Sequence, residues 1–158
     1  MEWYLACHKT GKHNAFKLQM FLARMNVDVF IPQSYCYRSR ADRPGHFRSI
    51  IEPLFPGYIF LNFDPKIIHT SKISSCPGFG FFIRFGGLIK PINSSIVDDI
   101  MQMTFIPSLR KGPVKIIENE KQSLISNSQY EAIKQIVEEH DGSLRGALLY
   151  SYIETLNS

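Results

Sequence analysis

The sequence predicts an α+β fold, a mostly antiparallel sheet with flanking helices followed by a small C-terminal segment. Three observations carry this. Apolar spacing alternates between a period of two and a period near 3.6 along residues 3–101. The central candidate strand, residues 57–63, is apolar on both faces, so each side needs a covering layer or a partner. A Pro- and Gly-bearing stretch, residues 105–113, then separates this part from a tail with a different charge balance.

The elements follow in order. Residues 3–7 read as a strand with Trp3, Leu5 and Cys7 on one face, broken by Thr10-Gly11. Residues 12–25 place Ala15, Leu18, Leu22 and Met25 at helical spacing. Val27, Val29 and Ile31 alternate in a second strand that stops at Pro32. Residues 33–50 gather Arg38, Arg40, Arg43, His46 and Arg48 among tyrosines, which predicts a basic hairpin turning near Pro44-Gly45.

In the strand over 57–63, Tyr58 and Phe60 face one way and Ile59, Leu61 and Phe63 the other. Asp64-Pro65 opens a short helical turn through Ile67 and Ile68. A strand over 79–85 is expected to show Phe79, Phe81, Ile83 and Phe85 on one side. Asn93 or Ser94 then caps a helix whose apolar face is Ile96, Val97, Ile100 and Met101.

The tail fits two readings. Short strands over 114–117, 132–137 and 147–153 could close a small barrel. Helical spacing of Ile133, Ile136 and Val137, then of Leu144, Leu148, Leu149, Tyr152, Ile153 and Leu156 across an Asp141-Gly142 turn, describes a helical hairpin instead. Periodicity and richness in Glu, Lys, Gln, Ala and Leu favour the helices. The expected domains are 1–104, a linker 105–113, and 114–158.

Composition bounds the function. With 44% apolar and 13% aromatic residues, the 158-residue chain can build a real core and is not expected to be disordered. No apolar run reaches the roughly 20 residues that span a bilayer, and the acid-bearing N-terminus does not resemble a signal peptide. A cytoplasmic monomer without membrane contact is expected. Cys7, Cys36 and Cys76 lie far apart with no CxxC pair, which argues against a disulfide framework or zinc site and for buried, inert thiols. Residues 1–105 hold 12 Lys and Arg against 7 Asp and Glu, whereas residues 106–158 hold 6 against 7. The basic excess therefore lies in the front two-thirds, where a polyanion would be met. No P-loop, dinucleotide fingerprint, nucleophile elbow or metal-spaced cluster occurs, so catalysis and cofactors are not expected.

The opening Trp3-Tyr4-Leu5 with Lys9 and Gly11, the run Leu54-Phe55-Pro56-Gly57-Tyr58-Ile59-Phe60, and Pro77-Gly78 followed by Phe82-Ile83-Arg84-Phe85-Gly86 resemble the NusG/RfaH family of transcription elongation factors. Glu52-Pro53-Leu54-Phe55-Pro56, Phe63-Asp64-Pro65 and Ile68-His69-Thr70 are closer to its specialised RfaH branch. The resemblance implies an elongation and antitermination factor that clamps bacterial RNA polymerase, reducing pausing and termination. It implies docking of Leu5, Phe55, Pro56, Tyr58, Phe60, Phe85, Ile96, Val97 and Ile100 on the β′ clamp helices, and of His69, Thr70 and Ser71 on the β gate loop. Lys9, Lys12, His13, Lys17, Arg38, Arg40 and Arg43 would face the non-template DNA strand.

The tail departs most from the family. Its usual KOW-type β-barrel loop is missing, although Tyr130-Glu131-Ala132-Ile133 and residues 141–149 resemble the RfaH tail. That tail can mask the clamp-helix site as a helical hairpin and contact a ribosome when released. By the same resemblance Glu52 and Arg145 would form an interdomain ion pair. The competing reading is a free-standing RNA- or DNA-binding module, with steep salt dependence and no polymerase contact.

Overall fold

The computed structural model describes residues 1–11, 13–104 and 124–157, except the side chains of 36–37 and 124–127. Among the described residues six strands and five helices follow in the order β1 (Glu2–His8), α1 (Asn14–Ala23), β2 (Asp28–Phe30), β3 (Gln33–Arg40), β4 (Arg43–Pro53), β5 (Tyr58–Phe63), α2 (Thr70–Ser74), β6 (Phe79–Phe82), α3 (Ser94–Thr104), α4 (Leu124–Glu138) and α5 (Gly142–Asn157). Lys12, the expected linker and residues 114–123 lie outside the described residues.

Four strands form one antiparallel sheet in the order β2-β5-β1-β6. β5 sits inside it, pairing Phe60 with both Leu5 of β1 and Phe30 of β2. The period-two pattern of β5 does what its sequence demands. Ile59, Leu61 and Phe63 enter one buried cluster with Tyr4, Ala6, Leu18, Leu22, Val27, Ile73, Phe79 and Phe82, covered by α1 and α2. Phe60 enters the other, with Leu5, Phe55, Phe85, α3 and the tail helices. The sheet is thus the middle layer of three.

Two details differ from expectation. Strand β6 does not keep its phenylalanines on one side: Phe79 and Phe82 join the first cluster, Ile83 and Phe85 the second, and Phe81 is exposed. The cause is a bulge. His8 pairs with Phe79 and Cys7 with Phe81, which leaves Gly80 as an extra residue. A Cβ at Gly80 would stand 2.7 Å from the Cys7 carbonyl oxygen, so glycine permits the strands to approach there.

The β3–β4 ribbon is a separate two-stranded sheet that turns at Ala41-Asp42, not near Pro44-Gly45. Asp42 takes the Arg40 guanidinium in two hydrogen bonds, 3.1 and 2.7 Å, and this clip places the turn ahead of the Pro-Gly pair.

Helix α3 begins as its sequence specifies, with Asn93 Oδ1 accepting from the Ser95 amide at 3.1 Å. The tail is a helical hairpin. Asp141 caps α5, its Oδ1 accepting from the Leu144 amide at 2.9 Å. No helix among the described residues is long and apolar enough to cross a membrane.

Candidate partner-binding face and nucleic-acid surfaces

Eight of the nine residues expected to form the docking face lie together: Leu5 on β1, Phe55 before β5, Tyr58 and Phe60 on β5, Phe85 after β6, and Ile96, Val97 and Ile100 on α3. Pro56 is exposed at their margin. Helices α4 and α5 cover this group with Ile133, Ile136, Val137, Leu149 and Ile153. The face is therefore occupied by the chain's own tail.

The cover fits closely at one place. On α5, Gly142 and Gly146 are four residues apart and so share a face. A Cβ at Gly146 would stand 2.6 Å from Cε2 of Tyr58, and one at Gly142 2.8 Å from Cγ of Pro56. The two glycines let the helix backbone rest directly on these rings. One turn further on, Tyr150 stacks on Phe85 with centroids 5.4 Å apart. Its hydroxyl donates to Glu154 at 3.0 Å. On α4, Gln129 donates to Asp99 of α3 at 2.8 Å and exchanges hydrogen bonds with Ser95.

Burial raises the pKa of the Tyr58 hydroxyl, helped by Cys7 and Tyr150. Burial also pushes the Cys7 thiol up to about 11, and Cys7 pairs with Tyr58 across β1 and β5. At neutral pH that thiol stays protonated and unreactive.

The expected Glu52–Arg145 ion pair is not formed. Arg145 is only 4% exposed, and its guanidinium donates to three main-chain carbonyls: Leu54 at 2.6 Å, Glu139 at 2.7 Å and His140 at 3.4 Å. Two of these, Glu139 and His140, follow directly on the C-terminal end of α4, where the helix dipole favours a cation. Glu52 instead meets Arg38 at 3.2 Å.

His69, Thr70 and Ser71 lie on the opposite layer. His69 caps α2, its Nδ1 accepting from the Ser71 amide at 3.2 Å and facing Ser71 Oγ at 2.7 Å. Ile73 of the same helix is buried in the α1–α2 cluster, while His69 and Ser71 remain exposed.

Lys9, His13 and Lys17 are exposed at the start of α1, and Arg38, Arg40 and Arg43 are exposed on the ribbon. Their electrostatic states differ. Arg38 and Arg40 each have an acid partner, whereas Arg43 and Arg48 form no ion pair among the described residues. Arg48, left out of the expected set of contacts, is thus better placed to hold an external anion than Arg38 or Arg40. Spacing alone could have suggested Gly142 and Gly146, four apart on a helix; the pairing that separates Arg48 from Arg38 has no such signal.

The family model described as transcription termination factor NusG matches residues 1–101.

Proposed function

This chain belongs to the NusG family of transcription factors, which is not an enzyme family, and from that membership we propose that it is an RfaH-like elongation and antitermination factor that binds bacterial RNA polymerase. One observation carries the proposal: the face expected to meet the polymerase is a continuous apolar surface reaching from Leu5 to Ile100, and the chain's own tail lies over it. An apolar surface this large is normally covered by something.

In the open form, Leu5, Phe55, Pro56, Tyr58, Phe60, Phe85 and the α3 residues Ile96, Val97 and Ile100 dock on the β′ clamp helices. His69, Thr70 and Ser71, on the opposite layer, reach the β gate loop. The factor bridges the two sides of the DNA channel and keeps the clamp shut, so pauses shorten and termination is suppressed. Lys9, Lys12, His13 and Lys17 with the ribbon arginines attract the non-template strand through its phosphates. In the closed form, α4 and α5 occlude the clamp site; released, they are free to meet a ribosome. Each role is one of binding and positioning and uses no cofactor.

The test uses the full chain. Gly146→Leu drives a side chain into Tyr58 and lifts the tail from the face. Its affinity for a purified bacterial elongation complex should rise above that of the unaltered chain. Phe60→Ala in the same background should remove the gain. If neither chain binds the complex on any DNA scaffold, the polymerase assignment fails.

A further inference from the structure

Helix α1 is apolar on two sides. Leu18 and Leu22 are buried against the sheet, while Phe16 and Met20, four residues apart and so on one outer face, are 63% and 48% exposed. Phe21 is exposed too, but the Arg24 guanidinium lies over its ring at 5.9 Å from the centroid. The surroundings are basic: residues 8–27 carry Lys9, Lys12, Lys17 and Arg24 and no acid. Lys9, Lys17 and Arg24 form no ion pair among the described residues.

The tail carries a counterpart. On α5, Leu144 and Leu148 are again four residues apart, 46% and 39% exposed, and turned away from the side on which Gly142 and Gly146 meet Pro56 and Tyr58. The exposed charged side chains of α4, α5 and the turn between them are Glu131, Glu138 and Asp141 against Lys134. Arg145 does not alter this outer balance, because it is buried beneath the tail.

We propose that a second copy of this chain docks here, with Phe16 and Met20 on α1 of one molecule lying on Leu144 and Leu148 on α5 of another. Charge chooses this occupant. Setting α1 on α1 opposes cations to cations, and setting tail on tail opposes acids to acids. Only α1 on the tail joins opposite charges around an apolar centre. Within one molecule the sheet stands between the two faces, so they meet only between molecules.

The contact is head-to-tail. Each docked pair keeps one free α1 and one free tail, so association continues into a closed ring or an open chain. Helix α1 has ten residues and is about 15 Å long. So short a contact falls below the roughly 800 Å² per partner of a standard interface, and the association is weak and concentration-dependent. The monomer expected from the sequence is then the dilute form. A neighbour's α1 lying across α5 also holds the tail down, so association favours the closed form. None of this depends on the polymerase assignment.

The test is sedimentation equilibrium of the full chain, without polymerase or nucleic acid, from dilute to concentrated solution. The average mass of the unaltered chain should rise above that of one chain with concentration, and rise less at high salt, where the charges are screened. Met20→Glu removes the α1 face and Leu148→Lys the tail face. Both positions are exposed, so the unfolding midpoints should hold. Each variant alone should keep the mass of one chain throughout. Mixed in equal amounts they should pair, because one retains its tail face and the other its α1 face, and the mass should stop at two chains.

Four results would overturn the proposal. An unaltered chain whose mass never rises has no such contact. Association of Leu148→Lys alone would mean that α1 meets a surface other than the tail. Association of Met20→Glu alone would mean that the tail meets a surface other than α1. A mixture that stays at the mass of one chain would break the head-to-tail pairing itself.

Discussion

The sheet has two buried faces, and their covers differ in kind. One face is closed by α1 and α2, and every residue in that cluster lies between Tyr4 and Phe82. The other depends on residues 133–153, and the hydrogen bond from Arg145 to Leu54 joins positions 91 apart in the chain. The first cover is an ordinary hydrophobic core: Phe63 has no exposed surface and rests against Tyr4 at 4.7 Å between centroids. The second has the features of an interface. Tyr58 is half-buried under a glycine, a buried arginine is held by carbonyls, and α5 leaves Leu144, Leu148 and Leu156 exposed on its outside. A helix that is apolar on both sides is not fully satisfied by the surface it covers. Two faces of one sheet can thus be equally dry under covers of different kinds.

The largest expected effect tests that contrast from the core side. Phe63→Ala should cost about 3–5 kcal/mol and shift the urea transition of the whole chain, because the lost ring leaves a cavity that no other element can fill. Gly146→Leu should cost about 1–3 kcal/mol, and the loss should be confined to the tail. Amide exchange would show α4 and α5 losing protection while β1 and β5 keep theirs. Loss of protection throughout the sheet would mean the tail is part of one indivisible core.

Much of this contrast was legible in the sequence, and the failures have physical causes. Strand β5 could be read because alternation of Ile59, Leu61 and Phe63 against Tyr58 and Phe60 leaves no other way to bury both sets. Strand β6 misled because a bulge at Gly80 resets the alternation without altering composition. The ribbon turn was hidden because Pro44-Gly45 is the stronger local signal, while the Arg40–Asp42 clip that fixes the turn acts two residues apart. The tail was ambiguous because residues 147–153 satisfy both a helical and an alternating period; in the structure they are helical, with Leu149 and Ile153 buried against the sheet. The expected docking residues and a helical tail lying over them could both be named from resemblance, but the contacts of Gly142 on Pro56 and Gly146 on Tyr58 that seat the tail had to be seen in three dimensions.

Alkaline pH should loosen the structure from the side of the tail-covered face. The Cys7 thiol has an ordinary value of 9.0 and is held at about 11 by burial, so the folded chain binds its proton more tightly than the unfolded chain does. The stability this contributes is fully present below about pH 9 and is lost as pH rises toward 11. Cys7→Ser should flatten that limb of the stability profile. An unchanged profile would assign the alkaline loss to other groups.

A pair of variants, one of them with the smallest expected effect, distinguishes the two ends of the expected ion pair. If Arg145 were held by Glu52, neutralising either partner would open the tail equally. The carbonyl cluster predicts asymmetry. Arg145→Ala removes charged hydrogen bonds to Leu54, Glu139 and His140 and should loosen closure by about 1.5–3 kcal/mol. Glu52→Gln touches a partly exposed pair with Arg38 and should change closure by less than about 1 kcal/mol. Tail amide exchange in the two variants measures both. Equal loosening would mean that Glu52 reaches Arg145 in solution, and that closure depends on charge as much as on the glycine contact beneath it.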